Sequence, residues 1–170
     1  INSPVDSVTG RLKTPASILD KAGRKHIAPE HIEEEIEDIA GIRILCQFVE
    51  DIQKVVDMVR SRSDMTIVQE KDYITNTKAS GYRSYHIVMG APVYCLDAME
   101  YFPVEVQFRT MSMDFWASME HRICYKKNPE HRERLEQEFL TYAAVLKEIE
   151  EKFEEYRERR ENGWPPEEAD

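Results

Sequence analysis

Hydrophobic and polar positions set the predicted elements. From Ile39 to Phe48, Ile42, Ile44, Cys46 and Phe48 fall on one face of a strand. Ile52, Val55, Val56 and Val59 then recur with the period of an amphipathic helix, with Asp51 as its expected cap. Met65 to Ile74 reads as a second strand, running into a loop marked by Asn76, Ser80 and Gly81. Ser84 to Met89 is a third. After a turn expected around Pro92 comes the clearest alternation in the chain. Val104, Val106 and Phe108 point inward, against Glu105, Gln107 and Arg109.

Helices bracket these strands. Thr14 to His26 predicts a short helix, with Thr14 as cap and Pro15 at the first position, where a missing N–H costs nothing. Another helix begins at Thr110, and its Met111, Met113, Phe115, Trp116 and Met119 read as core. A long charged helix follows from about Glu130 to Arg160. Its Phe139, Tyr142, Leu146, Ile149 and Phe153 form a stripe suited to subunit packing. The tail with Trp164, Pro165 and Pro166 cannot continue that helix. Helix, strand, helix, three strands, then helices is the order of an α+β domain with a mixed sheet and a helical C-terminal extension. The expected boundary separates residues 1–128 from 129–170.

Composition narrows the class. With 170 residues, 41% hydrophobic and 33% charged, the chain is sized for one soluble domain. It begins with Ile, so some N-terminal sequence is expected to be missing. No apolar run approaches the roughly 18 residues of a membrane span, and no signal-peptide pattern occurs. Cys46, Cys95 and Cys124 are widely spaced, which suggests reduced thiols in the cytoplasm rather than a zinc site or disulfide framework. The net charge of −10 argues against generic nucleic-acid binding. Yet from Ser7 to Pro29 there are five cations, Arg11, Lys13, Lys21, Arg24 and Lys25, against one acid, Asp20.

That local excess is the first candidate site. Arg11 and Lys13 are two apart in extended chain, and Ser17, Lys21 and Arg24 or Lys25 share a helix face opposite Ile18, Leu19 and Ala22. Ser17 lies in the first turn, where N–H groups and the helix dipole favour anions, so a triphosphate would fit. Spacing alone is more often a solvated basic helix face. Asp38, with Gly41 and Arg43 at the start of the first strand, suits Mg²⁺ by its oxygen ligand and position. Glu105 joins it only if the strand face carrying Glu105, Gln107 and Arg109 lies across from Asp38; otherwise that face is solvent-facing. In Lys78-Ala-Ser-Gly-Tyr-Arg-Ser-Tyr-His86, Gly81 permits a tight turn and Tyr82 offers a ring for base stacking, with Lys78 and Arg83 within reach of phosphates, although a lone tyrosine beside a glycine is more often a packing residue. His26, His31 and His131 read as surface residues, and His121 as a packing residue.

The blocks "TGRLKTPASILDKAGRK", "EIEDIAGIRI", "DYITNTKASGYRSYH" and "VEVQFRTMSMDFWASMEH", in this order, resemble the RelA/SpoT synthetase family from about Thr9 to Lys126. With no hydrolase or regulatory domain present, the resemblance is to its small alarmone synthetases of Firmicutes. It implies a nucleotidyltransferase-like fold and a homotetramer held by helices. The implied reaction moves the β,γ-pyrophosphate of ATP onto the ribose 3′-hydroxyl of GDP or GTP, giving ppGpp or pppGpp and AMP in the stringent response. By the same resemblance Arg11 and Arg43 sandwich adenine, and Lys13, Ser17, Lys21 and Arg24 hold the ATP phosphates. Asp38 and Glu105 bind Mg²⁺, with Glu105 also taking the 3′-hydroxyl proton. Tyr82 stacks on guanine, Lys78 and His86 lie near the acceptor phosphates, and Gln107 contacts the acceptor ribose.

Three departures from relatives stand out. The loop from Lys126 to Glu130 is short, and Ser7 stands where the allosterically stimulated subgroup carries an aromatic residue, so stimulation by pppGpp is expected to be weak. Asp114 replaces the Asn or His of some relatives near the guanine edge. Competing readings are a toxin-like pyrophosphokinase acting on adenine nucleotides or tRNA, and a silent nucleotide sensor or RNA-binding module. A mere binder needs no carboxylate pair, and the acidic chain makes tRNA the less attractive substrate although a local basic patch could still serve; nucleic acid could also act as a regulator. Asp114 can accept from guanine N1–H and N2–H₂, whereas adenine presents an acceptor at N1. Asp114→Ala should therefore erode the preference for GDP over ADP, measured as the ratio of kcat/KM for the two acceptors.

Overall fold

A computed structural model describes residues 3–95, 98–124 and 129–163, with side chains undescribed at Cys95 and from Pro129 to Arg132. The expectations for the segment from Lys126, for the Trp164 tail, and for the Cys95 and His131 side chains fall outside what it describes. The described residues form two compact units. The first holds Ile1–Thr77 with Arg83–Thr110, and the second holds Lys78–Tyr82 with Met111–Asp170.

The first unit is built on one five-stranded sheet. Its strands are β1 (Val5–Leu12), β2 (Ala40–Cys46), β3 (Thr66–Asp72), β4 (Tyr85–Cys95) and β5 (Ala98–Thr110), in the spatial order β1-β2-β5-β4-β3. Only the β2–β5 pair is parallel, so the sheet is mixed, as expected. Helices α1 (Pro15–Lys25), the one-turn α2 (Ile32–Glu35) and α3 (Val49–Arg60) connect β1 to β2 and β2 to β3.

The apolar face of the sheet carries the core. Ile87, Met89, Val106, Phe108 and Cys46 are buried there, and α3, packed against β2 and β5, contributes buried Ile52, Val55 and Val56. Each fully buried aliphatic or aromatic side chain contributes roughly 1.5–3 kcal/mol. Helix α1 starts as its sequence predicts. Thr14 Oγ1 accepts from the Ser17 amide at 3.3 Å and donates to Ser17 Oγ at 3.0 Å, with Pro15 at the first position. The helix ends at His26, whose φ of 56° is left-handed and whose amide reaches back to Ala22 and Gly23.

Several expectations need correction. Strand β1 is absent from the predicted order because Val5–Leu12 has an almost wholly exposed, polar pattern; it is an edge strand that pairs only with β2. Asp51 does not cap α3. Phe48 occupies the cap without a side-chain bond, and Asp51 sits in the first turn, buried and paired to Lys54 at 2.9 Å. Pro92 is not a turn residue. It lies within β4 opposite Tyr101, beyond Gly90 where the pairing with β3 ends, so no ladder partner asks for its missing N–H on that side. Leu19 is exposed rather than buried on α1, whose only buried residue is Ala22.

The second unit packs α4 (Met111–Cys124) against α5 (Pro129–Glu161). Its core is Trp116, Phe139 and Ala143, with Tyr82, Met119, Ile123 and Leu146 around them, and Trp116 Nε1 donates to the Phe139 carbonyl at 2.8 Å. Met113 is buried too, but Met111 and Phe115 are exposed, and so is His121, which is therefore no packing residue. Tyr142, Ile149 and Phe153 of the α5 stripe are likewise exposed. No helix among the described residues is long and apolar enough to cross a membrane.

Gly81 is the position where the second unit requires glycine. Its φ is +90°, and an added Cβ would stand 2.7 Å from Ala143 Cβ. Gly23, on α1, has nothing within 4 Å of such a Cβ. In urea unfolding, Gly81→Ala should lose about 2 kcal/mol or more, from left-handed strain and overpacking. Gly23→Ala should gain about 0.5–1 kcal/mol.

Candidate active site

One face of the first unit's sheet is polar, and its pairing register arranges the candidate residues in rows. Arg11 of β1 stands opposite Gly41 of β2, which stands opposite Glu105 of β5. In the next row Thr9, Arg43, Gln107 and His86 follow across β1, β2, β5 and β4. Positions two apart on a strand share a face, so both rows look the same way. Gly41, without a side chain, leaves the floor low between Arg11 and Glu105. The result is an open cleft of about 90 Å³ lined by Thr9, Gly10, Arg11, Asp38, Gly41, Ile42, Arg43, Glu105 and Gln107.

Asp38, two residues before β2, is the hub at the edge of this cleft. Lys21 Nζ donates to its Oδ1 at 2.8 Å, and Lys13 Nζ lies 3.2 Å from its Oδ2. The Lys13 amide donates to the Ile39 carbonyl at 2.8 Å, which ties the end of β1 to the start of β2. Partial burial opposes the Asp38 charge, but the hydrogen bonds and attraction of Lys21 and Lys13 outweigh it and hold the carboxyl below its ordinary range.

Glu105 is held differently. His86 Nδ1 lies 3.0 Å from its Oε1, and Gln107 Nε2 donates to its Oε2 at 2.8 Å. An ionised carboxylate only accepts, so His86 carries its proton on Nδ1 toward Glu105. Burial would raise the Glu105 pKa. The His86 hydrogen bond and attraction, the Gln107 bond and the nearby Lys21 charge instead bring it to about 2. Glu105 is therefore a fixed negative charge at neutral pH, better suited to a cation than to catching a proton.

The structure brings together Arg11, Lys13, Lys21, Asp38, Arg43, His86, Glu105 and Gln107. Ser17 lies in the first turn of α1, engaged with Thr14. Arg24 is exposed and paired to Asp20 at 3.1 Å, away from the cleft lining. Lys78, Tyr82 and Asp114 belong to the second unit. There Lys78 Nζ stands 5.0 Å over the Tyr82 ring, and Tyr82 also packs on the Trp116 cluster.

Two further residues support the polar face. Arg109 is buried, and its Nη2 donates to Gln107 Oε1 at 3.0 Å, which fixes the direction of the Gln107 amide. Its Nε donates to Ser84 Oγ, and Ser84 Oγ donates to the Phe108 carbonyl. Sequence alternation marks Arg109 as solvent-facing. The two-residue step groups it with Glu105 and Gln107 on one face, but nothing in the sequence tells that the face is covered at Arg109.

The donor chemistry fits a hard divalent cation. Two ionised carboxylates line one cleft, and Mg²⁺ takes one or two carboxylates and completes its shell with water and phosphate oxygens. No group of three or more His, Cys, Asp or Glu side chains suited to an all-protein metal cage occurs among the described residues. Cys46 is buried, and burial together with Asp51 pushes its thiol up to about 11, which makes it inert.

A mixed sheet whose polar face carries two carboxylates, one of them paired to Lys13 after β1 and Lys21 of α1, defines a nucleotidyltransferase-like domain. The pattern of the region found in RelA/SpoT proteins matches residues 10–130, and the chain belongs to the RelA/SpoT family. It is 44% identical over 156 residues to the GTP pyrophosphokinase YjbM of Bacillus subtilis (strain 168), covering 92% of this chain and 74% of that one. Small alarmone synthetase 1 from Bacillus subtilis bound to its product pppGpp matches with a TM-score of 0.88 at 42% identity, over 95% of this chain and 82% of that one. The structure of small alarmone synthetase 1 from Bacillus subtilis bound to AMPCPP matches with a TM-score of 0.76 at 38% identity, over 95% and 81%.

Because the Glu105 pKa is depressed on folding, its contribution to stability is full above about 4.5 and is lost as pH falls toward about 2. Glu105→Gln mimics the protonated group. It should melt roughly 5 °C below the parent at pH 7, with the gap narrowing steadily by pH 3.5. A gap that stays constant across that range would show that the carboxylate charge is not what the site stabilises.

Proposed function

We propose that this chain is a GTP pyrophosphokinase: it transfers the β,γ-pyrophosphate of ATP to the ribose 3′-hydroxyl of GDP or GTP. The observation that carries the proposal is that Asp38 and Glu105 line one cleft floored by Gly41, with Lys13 and Lys21 both paired to Asp38, in a chain of the RelA/SpoT family. The relatives' names support the same reading.

In this reading Arg11 and Arg43, neighbours on one sheet face, stack on the adenine by their planar guanidinium groups. Lys13 and Lys21 take phosphate oxygens, aided by Ser17 at the helix start. Arg24 reaches the phosphates only by leaving Asp20. Asp38 and Glu105 would hold Mg²⁺, which when bound supplies charge neutralisation to the transferring group. His86 and Gln107 face the acceptor from β4 and β5; by resemblance Lys78 lies near the acceptor's phosphates and Tyr82 stacks on guanine, with Asp114 near the guanine edge.

Transfer asks mainly for alignment and charge neutralisation. The 3′-oxygen attacks the β-phosphorus, the bond from that phosphorus to the α,β-bridging oxygen breaks, and AMP leaves. Glu105 can accept the hydroxyl proton only once the hydrogen bonds from His86 and Gln107 are given up to the arriving acceptor, because in the resting arrangement they hold it near 2. The partition into a synthetase domain, residues 1–128, and an extension, residues 129–170, belongs to the same proposal. So does a homotetramer, which the exposed Tyr142, Ile149 and Phe153 stripe of α5 supports.

Labelled ATP and Mg²⁺ incubated separately with GDP, GTP, ADP and tRNA test the reading. AMP release with label transferred to GDP and GTP is expected. Label on ADP or tRNA instead would establish the toxin-like alternative, and no transfer the silent sensor. Glu105→Gln should lose transfer by about a hundredfold or more while still binding ATP.

A further inference from the structure

We infer that Arg109 is a positioning residue for the transfer: anchored on Ser84, it holds the Gln107 amide in the one orientation that turns its N–H₂ toward Glu105. The inference rests on the reading above, in which Glu105 meets the cation and Gln107 the acceptor ribose.

Gln107 stands between two groups of opposite hydrogen-bonding character. An arginine guanidinium only donates, and an ionised carboxylate only accepts. Arg109 Nη2 donates to Gln107 Oε1 at 3.0 Å, and Gln107 Nε2 donates to Glu105 Oε2 at 2.8 Å. A half-turn of the amide fills the same space but sets its N–H₂ against the guanidinium and its oxygen against the carboxylate. Both bonds would give way to contacts between like groups, so these two neighbours permit a single orientation.

Arg109 is itself held in place. It is 5% exposed, and Ser84 is fully buried. Arg109 Nε donates to Ser84 Oγ at 3.3 Å, and that hydroxyl gives its own proton to the Phe108 carbonyl at 3.2 Å. The Ser84 oxygen is thereby left to accept from Arg109. Two nitrogens of one rigid plane are engaged, one by each neighbour, which a flexible lysine ammonium would not reproduce. The tie joins β4 to β5 beside the point where Tyr85 stands opposite Phe108.

In the resting site Glu105 and Arg109 select the same orientation of Gln107. During transfer Glu105 turns to the arriving cation and acceptor. Arg109 alone then keeps the Gln107 donor directed into the cleft that Gln107 lines, toward an oxygen of the ribose. Loss of Arg109 therefore falls on turnover rather than on donor binding, and it acts only through Gln107.

The test is a double-mutant cycle of Arg109→Met, which keeps an apolar stem, with Gln107→Ala. It is read as kcat and KM for GDP, with binding of α,β-methylene-ATP in Mg²⁺ as the measure of the donor side. Arg109→Met should lower kcat about tenfold or more and leave the Kd of the analogue within about twofold. In the Gln107→Ala background the same substitution should change kcat by less than about twofold. A comparable loss in both backgrounds, an undiminished kcat, or analogue binding that weakens in step with kcat overturns the inference. The orientation is also read without turnover, from hydrogen exchange of the Gln107 side-chain amide followed by NMR. Arg109→Met should speed that exchange about tenfold, and unchanged exchange overturns the inference. A parent that passes the exchange test yet transfers nothing to GDP or GTP overturns instead the functional reading beneath it. Should Arg109→Met not fold, Ser84→Ala removes one hydroxyl and enters the same cycle. A loss of about threefold that vanishes without Gln107 is expected, and a loss that persists rejects the idea.

Discussion

The parallel pairing of β2 with β5 is the constraint on which the site depends. It sets Gly41 beside Glu105 and Arg43 beside Gln107, and it brings Asp38, just before β2, to the same cleft. Parallel neighbours cannot be joined by a tight turn, so the chain must leave β2 through α3, β3 and β4 before β5 can return. That detour supplies the apolar cover of the opposite face, where Ile52, Val55 and Val56 meet Val106 and Phe108. Core and site are therefore two faces of one pairing. A one-residue slip would exchange Glu105 for Val106 and lose both at once.

Charge is then handled by two different devices on that face. Asp38 is kept ionised by mobile partners, lysine ammonium groups that can turn to another anion. Glu105 is kept ionised by a stiffer set: His86 on the adjacent strand, and Gln107, whose amide Arg109 orients. Lysine suits exchange because its charge sits on a flexible stem with three donors. Arg109, buried with Ser84 behind it, suits permanence. The distinction describes the resting site: the lysines are free to turn to another anion, while His86 and Gln107 hold Glu105 until an arriving group takes over their hydrogen bonds.

Much of this was legible in the sequence because it follows from local chemistry. Thr14 and Pro15 announce α1, the alternation at Val104–Phe108 announces β5, and Asp38 with Glu105 fits a cation once the two are neighbours. What was not legible lacks a local signature. Val5–Leu12 pairs by one edge and buries almost nothing, so its strand leaves no hydrophobic alternation. Pro92 reads as a breaker unless one knows that β3 stops short of it. Arg109 looks solvated because a strand's period tells which face a residue joins, not whether that face is covered. Met111 and Phe115 err in the opposite sense: apolar residues on a helix were read as core, yet both stand exposed. The four blocks of family resemblance supplied the pairing of Asp38 with Glu105 that no single motif contained.

The same physics bears on what the site can accept. A protein of net charge −10 repels a long polyanion at a distance, and three of the five cations of its basic segment are already held by acids. Arg24 is paired to Asp20, and Lys13 and Lys21 to Asp38, leaving the cleft a tightly neutralised pocket rather than a basic stripe. A nucleic-acid surface needs many exposed cations along a path, and pairing to Asp38 and Asp20 reduces the number this segment offers.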